Sequence, residues 1–393
     1  MTRPQAWLAP GLALTTFATL LVEILSTRLL SVLTWYHLSF LAVSLAMLGM
    51  ASGAVFVFLR GERVRGDGAV GLLVRATLAM AVAIPAAHLC TLVIPIPPLT
   101  EARLSLVLPL AVFVVLLGVP FYFSGVAVTV ALTRMHAPIG RLYAWDLAGA
   151  AAGCLSVIPL LVRTNLTSAM FAAAAATALA AWCFSRFARR RARGALALAA
   201  AFLAIAGWNA RQNAFPVLYP KNQGLWLSAD NAAMTAWTTH AYVVLGQPGE
   251  EPVYFWGPGR GAEDYTAVLQ WLTLDGEAAT PVTKWDGRPE SLAWVPHDVT
   301  SLPYQVRQGD VAVIGVGGGR DILSAIWGRS RSITGIEINR ALVDLLEHRA
   351  RDFAGIATRP DVTLVNDEAR AHLARTPRRF DILQMSLIDT WAA

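Results

Sequence analysis

Long apolar runs separated by short polar breaks fill the first half of the chain, at roughly 7–33, 35–59, 69–95, 104–131, 142–162, 167–185 and 195–209. A membrane-crossing helix needs about 20 predominantly apolar residues. Six runs meet or approach that length; the seventh, 195–209, is short. The pattern predicts a membrane domain of six or seven helices over residues 1–209. The opening run is no signal peptide, because it is too long and lacks a small-residue cleavage site.

After Asn209 the periodicity changes. Residues 210–300 carry short alternating runs broken by turn residues, as in QWLTLDGEAATPV (270–282) with its Asp275-Gly276 pair. This predicts a small β-rich unit of hairpins whose aromatic side chains form a compact core. From residue 301 strand and helix patterns alternate. VAVIGV (311–316), SITGIEIN (332–339), DVTLVND (361–367) and FDILQMSL (380–387) read as strands, with DILSAIWG (321–328) and RALVDLLEHRARDF (340–353) as helices between them. Such alternation predicts a parallel, doubly wound α/β sheet over 301–393.

Composition supports this division. The 393 residues are 55% hydrophobic and 15% charged, whereas a soluble chain carries about 25% charged residues. These numbers argue against an ordinary cytosolic enzyme and exclude a disordered chain, a collagen and a disulfide scaffold. Residues 1–209 hold 15 basic and 5 acidic side chains, and residues 210–393 hold 17 and 21. The basic excess belongs to the apolar half, so the expected partner is a lipid bilayer and not a nucleic acid. Cys90, Cys154 and Cys183 lie in apolar segments and report nothing about redox compartment.

The loops at 60–68, 131–141 and 186–194 contain ten arginines; the alternate loops contain only Arg103 and Arg163. By the positive-inside rule the Arg-rich loops face the cytoplasm. Seven crossings then put the second half outside. Six crossings, with 195–209 lying on the cytoplasmic surface, put it inside, and this is the expected arrangement. Glu23, Arg28 and Asp146 fall within apolar runs and read either as helix-end charges or as a polar site inside the bundle. Gly149 and Gly153 have the spacing of closely packed helices.

The candidate chemistry lies in the α/β region. Ligands of open α/β sheets bind at the carboxyl ends of the strands. There the chain places the loop GVGGGR (315–320), Glu337 after the second strand and Asp367 after the third. Gly315, Gly317 and Gly319 allow close backbone approach, Glu337 suits a ribose diol, and Asp367 suits an adenine amino group. A dinucleotide fingerprint fails, because Arg320 or Ile322 stands at its last position. An adenosylmethionine-type, Rossmann-like loop fits better. No metal-ligand spacing appears; His348 and His372 read as surface residues.

VIGVGGGR (313–320), GIEIN (335–339), VND (365–367) and FDILQMSLID (380–389) resemble the core of the spermidine synthases, the aminopropyltransferases. LYAWDLAGAAAG (142–153) is similar to bacterial membrane proteins that carry a spermidine-synthase-like domain. The resemblance implies a multi-pass protein of the bacterial inner membrane with a role in polyamine biosynthesis. It implies decarboxylated S-adenosylmethionine, or S-adenosylmethionine itself, held by the glycine loop, Glu337 and Asp367, and an amine as second substrate.

Two positions depart from the family. Gly318 replaces an aspartate that holds the donor's amine, and Ser386 replaces the aspartate that acts as base, leaving Asp389 as the candidate catalytic carboxylate. A serine hydroxyl is a poor base at neutral pH. The family's fold also continues for three more strands, which implies completion by further chain or by a second chain. Besides a transferase, a binding protein for adenosyl or polyamine ligands, a transporter and a methyltransferase remain open readings.

Overall fold

In the computed structural model, which describes residues 6–96, 104–189, 192–221, 231–262 and 265–388, the chain divides into two compact units, Met1–Lys221 and Asn222–Ala393.

The first unit is helical: α1 (Leu8–Leu33), α2 (Leu41–Arg60), α3 (Gly66–Val93), α4 (Leu104–Thr133), α5 (Ile139–Arg163), α6 (Leu166–Phe187) and α7 (Arg193–Gln212). All seven are long and apolar enough to cross a membrane. Residues 195–209, expected as a short surface element, belong to the 20-residue helix α7. At 1.5 Å per residue it is about 30 Å long, the thickness of a hydrocarbon core. Phe202 of α7 meets Phe171 of α6 with ring centroids 6.0 Å apart. At the other end of α7, the Asn209 amide donates to Asn165 Oδ1 at the start of α6, 2.8 Å away.

Small residues set the helix packing. A Cβ on Gly149 or Gly153 of α5 would lie 2.2 or 2.4 Å from the carbonyl oxygens of Ala13 and Phe17 on α1. Gly53 of α2 and Gly125 of α4 make equally close approaches, to Tyr122 and Met50 carbonyls. Gly149 and Gly153 meet Ala13 and Phe17, and Gly49 and Gly53 meet the carbonyl oxygens of Gly118 and Tyr122; both registers rise together, so α1 runs parallel to α5, and α2 to α4. α6 contributes an alanine-rich run whose small side chains let α1, α3 and α7 pack against it. Met47, Phe58, Leu108 and Leu155 point outward, as a lipid-facing surface requires. The three Arg-rich loops lie at one end of the bundle. The chain leaves α7 at the opposite end, where Lys221 N–H donates to Val32 C=O at 2.9 Å. This continuation extends the first unit about a dozen residues past Asn209.

The second unit contains two sheets around one core. β1 (Ala232–Trp237), β2 (Tyr242–Gly246), β3 (Gly249–Pro252), β4 (Thr266–Leu274) and β5 (Ala278–Thr283) form an antiparallel sheet; β2 and β3 pair along one edge of β4, and β5 along the other. The β4–β5 hairpin turns at Asp275 and Gly276, both with positive φ. Asp275 Oδ1 also accepts from Tyr242 N–H at 2.6 Å, which fixes the turn to β2.

After the short helix α8 (Leu302–Val306), β6 (Asp310–Ile314), β7 (Ser332–Glu337), β8 (Val362–Asn366) and β9 (Ile382–Met385) form a parallel sheet in the order β8-β7-β6-β9. α9 (Arg320–Trp327) connects β6 to β7. The expected helix over 340–353 forms as α10 (Arg340–Asp344), a wide π turn and α11 (Arg351–Ala354), and α12 (Ala369–Arg375) precedes β9. Val243, Leu272 and Val282 share a buried cluster with Val311, Val313 and Ile322. No physical break therefore falls between residues 300 and 301. Among the described residues β9 pairs only with β6, and its Leu383 and Met385 are exposed.

Candidate functional site

The strand order reverses at β6, which has β7 on one side and β9 on the other. A crevice opens at such a switch point because the connections leave in opposite directions. Here it is a cavity of about 560 Å³, within the range of small-molecule sites. Its floor comes from the ends of β6 and β7, its roof from β5, and one side from Tyr254, Trp256 and Trp271.

Gly315 and Gly317 line the cavity, as expected. Both have positive φ, 75° and 52°, a conformation that strains residues with a Cβ. Gly319 does not line it. It starts α9, and a Cβ there would lie 2.6 Å from Ile356 Cδ1. Gly318 is closed off differently: its Cβ would lie 2.4 Å from the Pro281 carbonyl oxygen. The backbone of β5 occupies the space that an aspartate at this position would need.

Glu337 and Asp367 both line the cavity. The buried Glu337 carboxylate accepts from Gly317 N–H at 3.1 Å and Asn339 N–H at 2.9 Å. It thereby ties the glycine loop to the end of β7. Asp367 is paired with Arg375 and lies 3.4 Å from His372 Nδ1. Burial alone would raise its carboxyl, but Arg375, the Glu368 N–H and His372 hold it below its ordinary value. Asn366 Nδ2 donates to Glu337 C=O at 2.9 Å, which joins the ends of β7 and β8. Asp389 lies outside the described residues; Ser386 lines the cavity.

Several wall residues were not anticipated. Tyr254, Trp256 and Trp271 were expected in a compact core, and Trp285 and Trp294 do occupy it. The other three form an edge-to-face group, with Tyr254 5.1 Å from Trp256 and 5.7 Å from Trp271. Trp271 Nε1–H donates to Glu251 Oε2 at 2.9 Å and fixes that ring.

Arg320 and Asp321, in the first turn of α9, also line the cavity and are nearly fully buried. Arg320 is ion-paired with Asp298 and lies over the Trp294 ring at 4.7 Å. Burial pushes the Asp321 carboxyl up to about 6, against the lowering effects of the Ser386 hydroxyl and the Arg320 guanidinium. Ser386 Oγ accepts from Gln384 Nε2 at 3.1 Å, and Gln384 Oε1 accepts from the Tyr304 hydroxyl. The signal in the sequence was an Arg-Asp pair directly after the glycines, where a helix packed on a sheet would ordinarily bury apolar residues.

On the outer surface Asp344, Glu347 and His348 come within 4.8 Å of one another; none of them lines the cavity. Compared with known proteins, the chain matches no protein-family model and no curated sequence.

Proposed function

We propose that the protein is a multi-pass membrane transferase. In this reading its second unit, a Rossmann-like domain, binds an adenosyl sulfonium donor and passes an alkyl group from sulfur to an amine. One observation carries the reading: the carboxyl ends of β6, β7 and β8 bring the glycine loop, Glu337 and Asp367 to one cavity. The strand order β8-β7-β6-β9 is the order in which a doubly wound nucleotide-binding sheet begins. The aromatic wall suits a cationic sulfur or amine, because ring faces attract positive charge. Glu337 would exchange its loop hydrogen bonds for those of a ribose.

Calorimetric titration of the full chain in detergent with methylthioadenosine tests this site. Binding is expected, and Glu337→Ala should weaken it by about 1.5–3 kcal/mol, the range for hydrogen bonds to charged groups. Unchanged affinity in the variant removes the ribose assignment.

A second reading of the donor is favoured by two wall positions. The space at Gly318 is filled by β5 backbone, so the amine of a decarboxylated donor meets no carboxylate there. Arg320 also lines the wall, paired with Asp298, and the carboxylate of S-adenosylmethionine would share its guanidinium. Tighter binding of S-adenosylmethionine than of its decarboxylated form would select methyl or other transfer over aminopropyl transfer.

The adenosyl donor is made in the cytosol, so the transferase reading places the second unit on the cytoplasmic side. The bundle geometry stands against that side. The described arginines of its three Arg-rich loops lie at the end opposite to the chain's exit, and seven crossings with those arginines inside put the exit outside. A reporter fused after Ala393 decides between them. Green fluorescence is the expected result; active alkaline phosphatase with no fluorescence overturns the cytosolic transferase.

A further inference from the structure

We propose that Asp321 is the proton acceptor for the amine nucleophile, in the role that Ser386 cannot fill. The inference rests on the transferase reading above and names the group that would make it work.

Four other carboxylates line the cavity besides Asp321: Glu277, Glu337, Asp367 and Glu368. Glu337 has both oxygens engaged by backbone N–H groups. Asp367 is held below its ordinary value by Arg375 and its neighbours, which weakens it as a base. Glu368 caps α12 with both oxygens, accepting from Arg370 N–H at 3.1 Å and Ala371 N–H at 2.7 Å. Glu277 sits across the cavity, after the β4–β5 turn. Asp321 differs from these in its partner and in its place. It lines the cavity together with Ser386, which follows β9 and whose hydroxyl lowers the Asp321 carboxyl, beside the switch point where a second substrate would meet the donor.

The charged and titratable groups around Asp321 are Arg320 on its own helix, Asp298, and Tyr304 of α8. Asp298 and Arg320 neutralise one another as an ion pair. Ser386 Oγ accepts from Gln384 Nε2, which leaves its hydroxyl hydrogen to point at Asp321. A carboxyl near 6 is ionised at neutral pH and is more basic than an ordinary aspartate, as a proton acceptor needs to be.

The reaction balances as follows in this site. The amine lone pair forms a bond to the carbon beside the sulfonium. That carbon–sulfur bond breaks, and its electron pair stays on sulfur as a neutral thioether. The proton lost by nitrogen passes to the Asp321 carboxylate and from there to water.

The test uses the full chain in detergent, with S-adenosylmethionine and its decarboxylated form as donors and putrescine as the amine, read by mass spectrometry. The wild type is expected to turn over, with kcat/KM falling as the pH drops below about 6. Asp321→Asn should bind methylthioadenosine as the wild type does and lose about 10²–10⁴-fold in turnover, together with that acid limb; Asp321→Glu should restore part of the rate. Ser386→Ala should move the acid limb upward, since the hydroxyl lowers the Asp321 pKa. Wild-type turnover retained in Asp321→Asn overturns the assignment. So does a wild type that binds methylthioadenosine but transfers nothing, a result that leaves the donor site standing. A wild type that does not bind methylthioadenosine takes down the transferase reading and this inference together.

Discussion

The two units bury polar groups in different ways. In the helical unit, Thr15, Thr19, Thr77, Thr177 and Ser185 each donate to the carbonyl four residues earlier. Polar side-chain pairs join its helices: Thr19 with Ser124 at 2.6 Å, His88 with Thr167 at 2.9 Å, and Asn165 with Asn209. In the second unit neutral groups such as Ser324 and Gln384 are buried beside ions, Asp275, Asp298, Arg320, Asp321 and Glu337, and the last three line one cavity. A neutral hydroxyl can be satisfied locally by a helix backbone. A buried ion needs a partner or a ligand. The charge in the second unit is therefore where the proposed chemistry would lie, while the hydroxyls of the bundle mark packing.

That contrast predicts its largest effect at Asp298. Its carboxylate pairs with Arg320 and also accepts from Gly257 N–H at 3.1 Å. Asp298→Ala leaves a guanidinium buried without its counter-ion, a change that costs about 3–5 kcal/mol. Thermal unfolding of the full chain in detergent, followed by tryptophan fluorescence, should show an early transition, since the Arg320 guanidinium lies over Trp294. A variant as stable as the wild type would mean that Arg320 finds water or another anion, and that its burial marks no functional constraint.

The sequence made the elements legible where periodicity alone decides them. The apolar runs, the Asp275-Gly276 hairpin and the four parallel strands appear where they were expected, because each is a local pattern. Gly149 and Gly153 announced the α1–α5 contact by their spacing. Gly49 and Gly53 of α2 carry the same spacing, but a spacing does not name its partner, here Gly118 and Tyr122 of α4. The same limit hid the cavity wall. Tyr254, Trp256 and Trp271 are separated in the chain from the glycine loop they face, and only the pairing of β4 with β5 and β3 brings them to it. The seventh helix is longer than its apolar run suggested, for another reason. Trp208, Asn209 and Arg211 lower the apparent apolar length, yet the Asn209 side chain is fully satisfied against Asn165, Ser168 and the Phe215 N–H. Asp321 was readable as a residue but not as a site, because Ser386, which lines the same cavity, follows β9 more than sixty residues later.

The smallest expected effect tests the other side of the comparison. Thr19 and Ser124 are both fully buried and join α1 to α4 through a single hydroxyl pair. Interhelical hydrogen bonds inside membrane proteins contribute about 0.6 kcal/mol on average, because alternative partners remain within the bundle. Thr19 also donates to Thr15 C=O at 2.8 Å, so its hydroxyl has a local partner whether or not Ser124 is present. Thr19→Val keeps the side-chain shape and should lower stability by about that amount, several-fold less than the Asp298 variant. A double-mutant cycle with Ser124→Ala, read by thermal unfolding in detergent, isolates the pair. A coupling of several kcal/mol would show that the bundle depends on this contact as the second unit depends on its ion pair, and the distinction between the two units would fail.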